Sequence, residues 1–285
     1  TIGDFATRSA EAGVTRRTGA GALHIAARAF ATDGFHLVAP EHRGPIDRRA
    51  GNRHHWAQAA WRTPVGDAAT LQLNLRTYDE DRGNGTLLQR NRSRETFVSA
   101  ALEGASSGGP AWNASAYAQV QDFASFFSAV NAGRDAETPA SDQYDVPAQA
   151  GGGAVTATWI HTGGARTTAG GDVRWVRGET REHFFFTAGE FTRRRVAGGE
   201  QAFAGAFLQH ERAPAPGWRA SFGARLDGWQ SRDGRRREID LTTGAVLRED
   251  RYDDTDGVEF SPSVGLVWQP APGWRARAAA YRAFR

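Results

Sequence analysis

The sequence predicts an all-β fold: an antiparallel up-and-down transmembrane β-barrel, of which this chain forms an arc of about 11–12 strands. Three observations predict it. Apolar and polar residues alternate over stretches of about ten residues, the length of a membrane-crossing strand. The connections between those stretches are short and long in turn. Tryptophans gather beside the short connections rather than in the middle of the stretches.

Residues 69–78, ATLQLNLRTY, show the alternation most plainly. Leu71, Leu73 and Leu75 share one face and Gln72, Asn74 and Arg76 the other, because successive side chains of a strand point to opposite sides. Upstream, a first strand is expected over residues 1–9, with a turn through residues 11–19. The next, residues 20–32, sets Leu23, Ile25, Ala27 and Ala29 against His24, Arg28 and Phe30. Residues 54–63 follow. Downstream, residues 95–103 carry Val98, Ala100 and Leu102 together. Residues 111–123 alternate Trp112, Ala114, Ala116, Ala118 and Val120 with Asn113, Ser115, Tyr117, Gln119 and Gln121. Residues 153–162, 166–177, 201–212, 218–230, 259–269 and 274–284 complete the series.

The short connections, TPVGDA, GASSGGP, TGGA, APAPG and QPAPG, carry the Gly, Pro, Asp and Ser that tight turns use. The long ones cover residues 33–53, 79–94, 124–152, 178–200 and 231–258. In an up-and-down sheet this puts every short turn at one end, as in outer-membrane barrels with short periplasmic turns and long extracellular loops. Trp61, Trp112, Trp159, Trp218, Trp268 and Trp274 sit beside short turns, and Trp56, Trp175 and Trp229 nearer the long connections. Two such belts suit membrane–water interfaces, where an indole ring is half buried and its N–H stays wet. A large β-sandwich with core tryptophans is the competing reading, but core residues have no reason to collect beside turns.

Composition excludes several classes. No apolar run is long enough for a membrane helix. The chain has no Cys, hence no disulfide framework or thiolate metal site. It has no Lys, so all 35 basic side chains are Arg, and the net charge is only +3. The arginines are spread among carboxylates, which argues against a nucleic-acid partner. The chain does not begin with Met, has no signal peptide, and ends at Tyr281-Arg282-Ala283-Phe284-Arg285; a piece of a longer polypeptide is expected.

Several passages resemble the TonB-dependent outer-membrane receptors. They are Ala29-Phe30-Ala31-Thr32-Asp33-Gly34-Phe35 with Val38-Ala39-Pro40-Glu41 and Arg43-Gly44-Pro45; Phe222-Gly223-Ala224-Arg225-Leu226-Asp227, similar to a Gly-x-Arg-x-Asp strand; Phe260 to Trp268, similar to a "SPRLGLVY"-type strand; and the terminal Tyr281 to Arg285, similar to the start of "FRAPTLNELY". The resemblance implies a 22-stranded barrel plugged by an N-terminal domain, in the outer membrane of a Gram-negative bacterium. It implies TonB-energised uptake of a scarce large ligand such as a ferric siderophore or cobalamin. Residues 1–285 would be a partial barrel domain, lacking the plug that engages the TonB complex and the last strands. The barrel would contact outer-membrane lipid and lipopolysaccharide. An unplugged diffusion porin and a barrel-scaffold hydrolase are the alternatives.

Candidate ligand contacts lie in the expected extracellular loops: Arg43, Arg48, Arg90, Arg194 and Arg236, whose guanidinium forks suit carboxylates and phosphates, and Phe126, Phe127, Phe184 and Phe185, which offer stacking faces. Lipopolysaccharide phosphates or plain solvation compete for the arginines, and loop-on-loop packing for the phenylalanines. Gln72, Asn74 and Arg76 are expected to face the lumen. Acidic clusters at Asp79-Glu80-Asp81 and around Asp250 to Glu259 offer oxygen ligands for Ca2+ but have Arg neighbours and no EF-hand pattern. His54 and His55 are adjacent in a strand and cannot chelate jointly. No spacing suggests a catalytic pair, so no enzyme activity, cofactor or bound metal is expected.

Overall fold

Period-two patterning becomes one antiparallel sheet, and its neighbours follow chain order. The structure is a computed structural model and describes residues 1–283; Phe284 and Arg285, the end of the last resemblance passage, lie outside the described residues. The strands are β1 (Ile2–Gly3), β2 (Thr7–Thr18), β3 (Gly21–Thr32), β4 (Asn52–Val65), β5 (Ala69–Gly83), β6 (Arg90–Ala105), β7 (Ala111–Val130), β8 (Glu137–Ile160), β9 (Arg166–Thr187), β10 (Glu190–Arg212), β11 (Trp218–Asp240), β12 (Val246–Arg251), β13 (Thr255–Trp268) and β14 (Ala276–Tyr281). One 3-10 turn, Pro40–His42, interrupts the β3–β4 connection. β12 pairs with the far end of β11 and β13 with the rest, so the two act as one interrupted strand. With the two-residue β1 set aside, the path matches the expected arc of strands. Among the described residues β14 does not pair with β1 or β2, and the sheet is open.

The register builds two unlike faces. One row runs Leu23, Trp61, Leu73, Ala100, Ala116, Gly153, Val173, Ala204, Gly228, Val258 across β3 to β11 and β13, without a charge. The row one residue away, on the other face, includes Asn74, Ser99, Tyr117 and Arg174. The apolar side chains are uncovered: Leu75 is 45% and Val258 69% exposed. The only buried hydrophobic residues among those described are Ala26, Ile46 and Ala220. A soluble sandwich of this length would bury a core of large side chains. This chain has none, because its apolar face meets lipid rather than another sheet.

Trp61, Trp112, Trp159, Trp218 and Trp268 lie on the apolar face at the short-turn end, where Trp218 and Trp268 stack at 5.5 Å. Trp175 lies on that face near the opposite end. Trp56 and Trp229 do not join this second belt. They fall on the polar face, in register with Tyr78 and with Phe203.

Two further expectations are corrected. Residues 11–19 are mostly strand, not turn: Ala10, Ala12 and Val14 do alternate with Glu11, Gly13 and Thr15, but alanine and glycine give little hydrophobic contrast. Four of the five long "loops" are mostly strand as well. Their turns shrink to residues 84–89, 131–136 and 188–189 and to the stretch around β12, and only residues 33–51 form a long irregular loop. Beyond the apolar band both faces meet water, so both become polar and the alternation that marks a strand disappears.

Candidate functional site

Strand length decides where a site is available. β7 to β11 run 20, 24, 22, 23 and 23 residues. A membrane crossing uses about 9–11 residues of a tilted strand. The excess lies at the long-connection end: on β9 the apolar face ends at Trp175 and continues as Arg177, Glu179 and Arg181. The sheet thus projects well past the band and carries a built rim.

Three connections of that rim lock together. The Asp47 carboxylate receives Nε of Arg134 at 2.8 Å, its Nη2 at 2.5 Å and the Gly44 N–H at 2.8 Å. The Ile46 N–H donates to the Arg134 carbonyl at 3.2 Å. A Cβ on Gly44 would stand 2.0 Å from that carbonyl oxygen, so only glycine fits there. The Arg48 N–H donates to the Gly85 carbonyl at 2.9 Å, and the Leu88 N–H to Glu137 Oε1 at 2.8 Å. Residues 33–51, 84–89 and 131–136 are therefore tied to one another. The Arg134 guanidinium, helped by the Gly44 N–H, holds the Asp47 carboxyl down at about 2, well below the usual carboxylate range.

The polar face pairs its charges. Arg76 meets Glu95 at 2.6 Å, and Asn74 donates to Ser99 Oγ at 3.1 Å. Arg225 lies between Asp172, at 2.7 and 3.1 Å, and Asp227, at 2.8 Å from its Nε. Its fork crosses Gly205, which is in register with both aspartates. The Gly-x-Arg-x-Asp pattern thus acquires a third partner from β9. Further toward the rim, Glu182 and Glu238 are buried and share Arg195, with Arg236 on Glu238 and Ser141 Oγ donating to Glu182 at 2.7 Å. Charges beside a low-dielectric slab pair in this way because a lone one is costly.

The candidate ligand contacts do not converge on one spot. Arg43 and Arg48 are in the 33–51 loop, where they donate to the carbonyls of Val38 and of Pro45 and Asp47. Arg90 begins β6 with its guanidinium over the ring of Phe126 on β7, and Phe127 beside it is exposed. Phe184 and Phe185 are on β9, under Arg195 and Arg193. Arg194 is on β10, and Arg236 on β11 is tied to Glu238. Except for Arg43 and Arg48, all of these sit on strand extensions, not loops. Phe126 belongs to an aromatic group with Phe191, Phe186, His183 and Tyr144. His54 stacks on Phe30 at 4.7 Å on the polar face while His55 points to the other, as adjacency requires. The Asp47–Arg134 lock spans 87 positions and left no local signal in the sequence.

The family model "TonB dependent receptor-like, beta-barrel" matches residues 40–285. A comparison with curated protein sequences finds no match. The fold is similar to the ferric-catecholate import receptor Fiu of E. coli K12 in its open form (TM-score 0.73, 13% identity, 98% of this chain and 53% of that one). It is similar to the ferric yersiniabactin uptake receptor FyuA of Yersinia pestis (TM-score 0.75, 9% identity, 98% and 45%). It is also similar to P. aeruginosa FpvA bound to heterologous pyoverdines (TM-score 0.70, 11% identity, 98% and 40%). The chain therefore spans 40–53% of these neighbours' lengths. At such identities the likeness concerns the fold, whereas the matched family span takes in the two-faced sheet from β4 to β14: the chain belongs to the TonB dependent receptor-like β-barrel family.

Proposed function

We propose that this chain is barrel wall and rim of a Gram-negative outer-membrane receptor that imports a scarce, large ligand by TonB-energised transport. The observation that carries the reading is the pairing of an uncharged, uncovered face with an ion-paired one, in a sheet whose strands overrun the membrane at one end. Such strands cannot serve a soluble domain, and the overrun supplies a rigid surface for ligand capture. The neighbours' names, which speak of ferric-catecholate and ferric yersiniabactin import, favour a ferric siderophore over cobalamin. In this reading Gln72, Asn74 and Arg76 face the lumen and the plug that TonB engages. Arg43, Arg48, Arg90, Arg194, Arg236, Phe126, Phe127, Phe184 and Phe185 offer the rim contacts. Arg177, just past Trp175 on the lipid side, meets lipopolysaccharide phosphates. No observation favours a diffusion porin or a barrel-scaffold hydrolase.

The test is iron uptake by a Gram-negative host that lacks its own siderophore receptors and expresses the full gene carrying this segment. Radiolabelled ferric siderophore should enter only when TonB is functional. Uptake that is equal with and without TonB would replace the receptor reading with a porin.

A further inference from the structure

The apolar face carries a cluster of hydrogen-bonding side chains at its short-turn end. His161, just past β8, Thr167 on β9 and His210 on β10 meet there: His161 Nε2 lies 2.7 Å and His210 Nδ1 3.0 Å from the same Thr167 hydroxyl. Thr167 is in register with Trp159, so the cluster stands at the height of the tryptophan belt. Arg212 shares this face, because Ala204, Ala206, Leu208, His210 and Arg212 fall on one side of β10.

The hydrogen bonds leave one donor over. A hydroxyl has one proton and a neutral imidazole one N–H. If His161 donates to Thr167, the hydroxyl donates to His210 Nδ1, and the His210 proton sits on Nε2. If the order is reversed, the His161 proton sits on Nδ1. Either way one ring N–H has no acceptor among the described residues. Arg212 makes no ion pair among them. Glu211 beside it is no counter-charge: it lies on the other face, in register with Arg166 and Ser221, and accepts from Gln209 at 2.9 Å. On the apolar face the neighbours of Arg212 are Leu208, Trp218 and Ala220, all uncharged.

Toward the midplane the same strands enclose a cavity of about 710 Å³. It is a trough along β10. Ala204 and Ala206 form its floor, and Val155, Val173, Leu226 and Val258, each more than half exposed, stand at its sides. From Ala206 to His210 is roughly 13 Å along the strand, with Leu208 between. An acyl chain fits such a trough, and its phosphate then lies at the aromatic belt, the level of the head groups. There it accepts from Arg212 and from the spare N–H. A zwitterionic head group would bring its own cation to Arg212, and a net-negative one would not.

Resting on the receptor reading, in which the short turns are periplasmic, we infer that this face of β8 to β11 binds a phospholipid of the periplasmic leaflet with a net-negative head group. Arg212 and the His161–Thr167–His210 cluster hold its phosphate, and one acyl chain lies in the trough.

The test uses the full-length receptor in detergent. The probes are phosphatidylglycerol and phosphatidylcholine with the same acyl chains, and native mass spectrometry counts the lipid retained. The wild type should retain phosphatidylglycerol at concentrations that leave phosphatidylcholine unbound. Arg212→Gln should weaken that retention about tenfold, the scale of one hydrogen bond to a charged group. So should the double variant His161→Phe, His210→Phe, which keeps both rings without their nitrogens. Ala206→Phe fills the trough, leaves the head-group residues in place and should also release the lipid. Heat-modified gel migration should report an intact barrel in each case. Equal retention of the two lipids by the wild type would mean only an annular lipid, and the inference would fall. Unchanged retention of phosphatidylglycerol in any of these variants would overturn it too, as would its displacement by inorganic phosphate. The receptor reading is tested apart from this, by the TonB dependence of uptake. A receptor that imports its ligand but retains no such lipid loses this inference alone, and one that retains the lipid without TonB dependence loses only the transport reading.

Discussion

Leu73→Arg and Asn74→Arg place the same charge on adjacent residues of β5, on opposite faces. Leu73 is the middle of the three leucines that form the apolar band on this strand, lies in register with Trp61 and Ala100, and is 38% exposed. An arginine there faces hydrocarbon between the Trp61 belt and the bilayer midplane, where the cost rises from about 0–1 to about 2–4 kcal/mol. Asn74 faces the other way and loses only its 3.1 Å hydrogen bond to Ser99, about 1 kcal/mol. The expected difference is therefore at most about 3 kcal/mol in favour of Asn74→Arg. It is measured by urea unfolding of the full receptor refolded into lipid vesicles, with heat-modified gel migration as the readout of the folded fraction. Equal unfolding midpoints, or a more damaging Asn74→Arg, would refute the assignment of faces. Every statement about lumen and lipid made from this register would then fail with it.

Gly205→Ala would set a Cβ 2.1 Å from Arg225 Nη2 and 2.6 Å from Asp227 Oδ1, displacing the fork. Breaking a buried pair costs about 3–5 kcal/mol, and this one, about a third exposed, should cost about 2. In an Arg225→Leu background the same glycine change should cost little, which a double-mutant cycle of unfolding energies will read. Arg195→Gln leaves buried Glu182 with Ser141 alone; the receptor should lose about 3 kcal/mol in urea unfolding, the scale of a buried charge left without its partner. The Asp47 carboxyl is depressed to about 2, so its contribution is complete above the unfolded value near 4 and is lost as pH falls toward 2. Pepsin should accordingly cut residues 33–51 at pH 2 and spare them at pH 4, whereas Asp47→Asn should be cut at both.

What was legible in the sequence is what a membrane forces on a strand. Leu71, Leu73 and Leu75 face one solvent and Gln72, Asn74 and Arg76 another, and so their order in the chain already states the register of β5. The belt of Trp61, Trp112, Trp159, Trp218 and Trp268 was legible for the same reason, since an interface selects the residue type at a fixed height. The candidate site was legible only as composition. Arg90 and Phe126 were each noticed, but their pairing follows from the β6–β7 register. Asp47 and Arg134 look like ordinary loop residues until the fold brings them together across 87 positions.

The same physics explains why charged stretches read as loops turned out to be strands. Past Trp175 neither face is continuously apolar, and beside the aromatic group the sheet is held by cross-strand ions: Arg181 with Asp145 at 2.7 Å, Arg235 with Glu179 at 2.7 Å, and Arg195 with Glu182. Charge density there is part of the architecture, which divides the arginines of the rim into two kinds. Arg236, like Arg181, Arg195 and Arg235, is spent on a carboxylate within the sheet, and a ligand would have to break that pair to use it. Arg43, Arg48, Arg90 and Arg194 make no ion pair among the described residues. An anionic ligand gains most from a cation that is desolvated but not yet neutralised. Arg43 and Arg48 are not neutralised but are exposed, and Arg236 is half-buried but already paired with Glu238, so neither kind meets both conditions at once, although the density of arginine in the sequence had marked them alike.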